Sequence, residues 1–131
     1  MTRPLIWLCS ALGFTGVAFG ALGAHALKRA ADSWPDAAER LAWWELGARY
    51  HLIHALAVGI VAALALHGGT RRHTTAAAFF TCGVVLFSGS LYAMALTGTR
   101  SLGIVTPFGG LAFLAGWLTV GLCAGAGSRP Q

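Results

Sequence analysis

Four apolar stretches, about Leu5 to Leu27, Ala48 to His67, Thr75 to Thr97 and Leu102 to Ala124, take up most of this 131-residue sequence. A helix that crosses a bilayer needs roughly 20 mainly apolar residues, each adding about 1.5 Å, and all four stretches meet that length. Composition agrees with lipid as the solvent: 56% of the residues are apolar and 10% charged, against roughly 45–50% and about 25% in soluble domains. The expected fold is an all-α membrane protein, four transmembrane helices in an antiparallel bundle, with residues 1–131 as a single four-span domain. No stretch of the sequence is left over for a soluble domain.

The first apolar run follows Arg3 and ends near Ala24-His25-Ala26, a pattern to weigh against a cleaved signal peptide. Its length exceeds a signal core, so it is read as a retained span. Gly125 to Gln131 reads as a disordered end. Cys9, Cys82 and Cys123 make an odd count without metal-ligand spacing and read as small hydrophobic side chains.

All four acids, Asp32, Asp36, Glu39 and Glu45, lie between the first two apolar runs, interleaved with Lys28, Arg29 and Arg40 and followed by Arg49. Charge balanced in this way does not make a nucleic-acid surface, despite a net charge of +5. The remaining arginines, Arg3, Arg71, Arg72, Arg100 and Arg129, suit anchoring at lipid headgroups. The side holding the termini and second linker carries four Lys and Arg, the other side five. That difference does not decide orientation, but the compact Arg71-Arg72-His73 linker favours cytoplasmic termini, and the expected location is a bacterial inner membrane.

Within the charged linker, Pro35 is suited to a first helical turn, and Asp36 and Glu39 favour its positive end. Ala38, Leu41, Ala42 and Leu46 recur at helical spacing beside Trp43 and Trp44. The spacing predicts a short interfacial amphipathic helix over about 35–46, its tryptophans at headgroup depth, with Asp36–Arg40 and Glu45–Arg49 pairs four residues apart. Gly47 then lets the chain bend into the second span.

Folding four spans antiparallel brings one set of polar residues into one leaflet: His25, then Arg49, Tyr50, His51 and His54, then Ser88, Ser90, Tyr92 and Thr97, then Thr106. Ionisable groups at membrane depth are costly and mark a site with partners. The half nearest the termini holds little but aliphatic, aromatic and small residues. Gly13, Gly16, Gly20 and Gly23 form a small-residue stripe for close packing of the first span. Thr106 before Pro107 is placed to cap the fourth span and Gly98 to stop the third.

Several of these words occur together in one family. Gly20-Ala-Leu-Gly-Ala-His25-Ala-Leu-Lys28, Ala48-Arg-Tyr-His-Leu-Ile-His54-Ala-Leu56, Leu86-Phe-Ser-Gly-Ser-Leu-Tyr92 with Ala95-Leu-Thr-Gly98, and Leu102-Gly-Ile-Val-Thr-Pro-Phe-Gly-Gly110 with Gly116-Trp117 follow in order along nearly the whole chain. The sequence resembles the DUF423 family of small membrane proteins, which includes the vertebrate transmembrane protein 256 group. His51 stands where the family pattern leads one to expect glutamine. The resemblance implies four spans and no established reaction.

The histidines have two readings. His51 and His54, three residues apart, could with His25 hold zinc, copper or haem iron; no carboxylate lies in the apolar runs to complete a hard-metal site. Otherwise hydroxyls and carbonyls satisfy them. Arg49 either snorkels to the headgroups beside Glu45 or faces inward to bind a phosphate or carboxylate. If Arg49 and His54 serve one network, replacing either by alanine weakens the bundle alike.

No catalytic set is complete and no cofactor is implied. The function expected first is a non-enzymatic assembly or accessory protein whose partners are the lipid bilayer and either its own copies or a larger membrane complex. A membrane enzyme or a metal or haem protein using the same cluster stands second. A transporter or channel ranks third, because a proton-coupled carrier needs an embedded carboxylate.

Overall fold

A computed structural model describes residues 2–125, and among these the chain is helical without strands. The segment expected as a disordered end, beyond Gly125, lies outside them, as does Arg129. Helix α1 (Thr2–Leu22) passes through a π-helical turn at Gly23–Leu27 into the short α2 (Lys28–Ala30) and a 3₁₀ turn at Ala31–Ser33. Helix α3 spans Ala37–Ala65. Helices α4 (Arg71–Gly83) and α5 (Gly89–Thr97) are joined without interruption by a second π-turn at Val84–Ser88. A 3₁₀ turn at Arg100–Ile104 leads into α6 (Thr106–Gly125). Thr2–Ser33, Ala37–Ala65, Arg71–Thr97 and Arg100–Cys123 are long and apolar enough to cross a membrane, and are spans one to four.

All four expected spans are present, each beginning earlier than its apolar run. The helix expected over about 35–46 is present too, but as the opening turns of α3 and not as a separate element. Gly47 makes no bend. It is buried inside the helix, where an added Cβ would stand 3.0 Å from Cε1 of Tyr92. The glycine therefore brings spans two and three together, a use of small size that its position after a polar stretch disguised. Gly98 does stop span three, with φ of 71° and its N–H donated to the Met94 carbonyl at 2.8 Å.

Packing follows chain order: span one lies along span two, span two against span three, and span three along span four. Half of the apolar window of spans two and three is buried, against 11% and 17% in spans one and four. The outer two spans thus turn most of their surface away from the protein. Two core clusters result. One, nearer the termini, joins Leu5, Val58, Val61, Ala76, Phe80 and Phe113; the other joins Leu27, Trp44, Ala48, Tyr92 and Ala95.

Close approach is set where a glycine meets a ring or a backbone. A Cβ at Gly23 would come within 2.3 Å of Cδ1 of Trp44, and one at Gly109 within 2.3 Å of the Phe87 main-chain nitrogen. In lipid such contacts, and not the hydrophobic effect, drive helices together. The expected glycine stripe on span one is therefore split. Gly16 and Gly23, two turns apart on one face, receive Leu52 and Trp44, whereas Gly13 and Gly20 have nothing within 4 Å of an added Cβ. At about 100° per residue, three residues rotate that second pair about 60° off the contact line.

The termini side is also less purely apolar than expected. His73 is buried in a capping box in which the Thr70 N–H donates to its Nδ1 at 3.1 Å. Arg72 donates to the Leu122 carbonyl near the end of α6 at 3.0 Å.

Candidate functional site

The polar residues nearer the first and third linkers form three separate junctions between spans. At the membrane surface Arg40, buried and near the start of α3, donates through Nε to the Ala95 carbonyl at 2.7 Å and through Nη2 to that of Leu96 at 2.6 Å. These are among the last carbonyls of α5, which have no partner within the helix and attract a cation. Trp34 lies under the guanidinium, 3.6 Å from ring centroid to Cζ, and Asp36 stands 3.7 Å away. Beside it, Arg100 pairs with Glu39, so the first and third linkers are tied by two arginines. Sequence reading placed Arg40 only in an i,i+4 pair and missed its main partners. The carbonyls it caps belong to a helix end 55 residues later, which no local spacing reveals.

The second junction joins spans one, two and three. Trp44 donates its indole N–H to the Phe19 carbonyl at 2.7 Å, with its ring 4.6 Å from that of Tyr92. One step deeper, His51 bonds Tyr92 through Nδ1 at 3.2 Å and Thr15 through Nε2 at 3.3 Å. The Thr15 hydroxyl already donates its proton to main-chain carbonyls, Ala11 at 2.8 Å and Leu12 at 3.1 Å. Its oxygen is left to accept, so His51 carries its proton on Nε2 and receives the Tyr92 hydroxyl at Nδ1.

The third junction joins spans two and four. His54 Nδ1 faces the Tyr50 carbonyl at 2.8 Å, which can only accept, so Nδ1 is the protonated nitrogen. Nε2 then accepts the indole N–H of Trp117 at 3.3 Å. The ring lies flat on Phe113, with centroids 3.5 Å apart and planes 9° from parallel. Tyr50, exposed on one side, sets its ring against Phe87 at a tilt of 32°, with centroids 4.6 Å apart. Ser90 and Thr106 share a hydrogen bond of 2.7 Å between spans three and four. Thr106 thus spends its hydroxyl on a neighbour and not on the cap expected of it.

Four of the expected cluster members lie apart, among them Thr97, which is exposed and donates only to the Ala93 carbonyl of its own helix at 2.7 Å. His25 is exposed, because nine residues from the buried Gly16, at about 100° each, carry it half a turn round the helix. Arg49 is exposed as well and pairs with Glu45 at 3.1 Å, the anchoring geometry and not the inward one. Ser88 is fully buried at the end of the second π-turn, and its hydroxyl meets no partner among the described residues. The three histidines weighed as metal ligands are not gathered: His25 faces outward, while both ring nitrogens of His51 and His54 are engaged within the chain. Among the described residues no group of three or more His, Cys, Asp or Glu is placed to hold an ion. Trp117, Trp44 and Thr15 went unread as site residues. Trp44 carried a signal, since a buried indole N–H needs an acceptor.

Comparison with known proteins agrees with this architecture. The profile of a family described as "protein of unknown function (DUF423)" matches residues 19–110. The UPF0382 membrane protein YwdK of Bacillus subtilis is 41% identical over 109 residues, covering 82% of this chain and 85% of its own length. The UPF0382 inner membrane protein YgdD of Escherichia coli K12 is 38% identical over 123 residues, covering 89% and 86%. A UPF0382 membrane protein of Haemophilus influenzae is 34% identical, covering 92% of each. No solved structure matches the chain. With the profile covering its central spans and relatives matching over most of their length, the chain belongs to the DUF423 family and is a multi-pass membrane protein.

Proposed function

We propose that this protein performs no chemistry of its own and works as an assembly or accessory protein of a bacterial inner membrane, joining its own copies or a larger complex through spans one and four. The observation that carries this reading is the state of the buried histidines. All four ring nitrogens of His51 and His54 are spent on Thr15, Tyr92, Tyr50 and Trp117, which leaves no lone pair for a metal and no proton-accepting nitrogen for a substrate. A polar group used in this way fixes helix register, as interhelical hydrogen bonds in membranes do at about 0.6 kcal/mol each. The outer spans support the same reading, since Trp7, Phe14 and Val17 on span one and Phe108, Leu114 and Leu118 on span four are all exposed.

The test is the mass of the protein released from its own membrane into a mild detergent. Self-association or a reproducible stoichiometric partner is expected. A strict monomer with no co-purifying protein overturns the reading, and so does a bound metal or a visible absorption band that survives purification.

A further inference from the structure

Between α1 and α3, on the outer flank of the second junction, lies a groove of about 470 Å³. Gly20 and Ala24 form its wall on span one, Trp44 and Ala48 its wall on span two, and Lys28 and Glu45 line it from the same two sides. Its polarity is graded. Lys28 is two helical turns beyond Gly20, or roughly 12 Å at about 1.5 Å per residue, so one end of the groove reaches headgroup depth while the other lies among apolar chains. Trp44 holds the groove open, because its indole is anchored on Phe19 and seated against Gly23, and cannot turn to fill the space.

Two charges of opposite sign line the groove from opposite spans, Lys28 toward the headgroup end and Glu45 next to Trp44. Lys28 has no carboxylate partner among the described residues, and Glu45 uses Oε1 on Arg49, leaving Oε2 free. An anionic headgroup would satisfy Lys28 and meet Glu45 with the wrong sign. A headgroup that carries a phosphate and, a few bonds away, a primary ammonium suits both, and its acyl chain suits the small-residue floor. We propose that this groove binds one zwitterionic aminophospholipid, phosphatidylethanolamine in its chemical class, with the phosphate on Lys28, the ammonium on Glu45 and an acyl chain along Gly20 and Ala24. This site does not depend on the assembly reading, since a monomer could hold the lipid equally well.

The experiment is native mass spectrometry of the full-length protein in mixed micelles doped with phosphatidylethanolamine, phosphatidylglycerol or phosphoethanolamine without acyl chains. One phosphatidylethanolamine per chain is expected to remain bound, and phosphatidylglycerol to bind more weakly. Lys28→Gln should weaken that adduct about fivefold, the share a lysine near a membrane surface contributes. Ala24→Leu, which fills the floor from an exposed position, should abolish it while leaving helix content and lipid-free melting unchanged. Adducts of equal strength in the wild type and both variants overturn the site, as does preference for phosphatidylglycerol. Equal binding of phosphoethanolamine alone overturns the acyl groove. If Ala24→Leu fails to fold, Lys28→Gln and the headgroup preference still decide the matter.

Discussion

His51 and His54 sit one helical turn apart yet hold their protons on opposite nitrogens, Nε2 in the first and Nδ1 in the second, because one faces a threonine oxygen and the other a main-chain carbonyl. Ring-nitrogen NMR of the protein in micelles should therefore report two different neutral tautomers; the same tautomer in both would contradict the arrangement. Tyr92→Phe removes only the hydroxyl donated to His51 and should cost about 0.6 kcal/mol, the mean for interhelical hydrogen bonds in a membrane protein. The arginines divide more sharply. Arg40→Ala strips two helix-end carbonyls of a charged donor and should cost about 3 kcal/mol or more in SDS-driven unfolding, since bonds to charged groups contribute about 1.5–3 each. Arg40→Lys should recover little, because one ammonium cannot reproduce the two-pronged contact. Arg49→Ala removes an exposed pair and should cost about 0.5 kcal/mol or less. The equal effects of Arg49 and His54 that a single network demands are thus not expected. What the sequence showed at this scale was which residues were polar and at what depth. It did not show which way each one faced, and His25 and Arg49 were lost from the site for that reason.

Helical elements were legible because hydrophobic length is a local property. The features that join them were not, because a π-turn or a glycine contact is defined by a neighbour that local spacing does not identify. Gly109 and Gly110 are adjacent and alike in sequence, yet a Cβ on the first would stand 2.3 Å from the Phe87 backbone and one on the second would meet nothing within 4 Å. Backbone cannot swing aside as a side chain can. Gly109→Ala should accordingly push α6 off the second π-turn and cost about 1–3 kcal/mol, the range for overpacking, whereas Gly110→Ala should be neutral or slightly stabilising through better helix propensity. Equal unfolding midpoints for the two variants would contradict the packing of spans three and four. The same contrast explains why Gly47, expected as a bend, is a contact, and why a separate interfacial helix became the beginning of span two.

At the scale of the whole molecule the four spans were readable in the sequence, and their antiparallel order follows from short linkers. Orientation in the membrane is a further expectation: Arg71, Arg72 and His73 sit together in a compact linker on the side of the termini, which favours that side as cytoplasmic. Reporter fusions at the C-terminus should be fluorescent in the cytoplasm and show no periplasmic phosphatase activity; the opposite pattern would invert the topology. Chain-order packing also bears on how the protein is made. Each span emerging from the ribosome finds its main partner in the span made just before it, so assembly can proceed as synthesis does, with only local searches in the plane of the bilayer. One exception is the bond from Trp117 to His54, which crosses 63 residues. Until the last span arrives, His54 Nε2 faces lipid without its donor. The nascent protein thus carries an unfinished polar contact that completion of the chain alone can close.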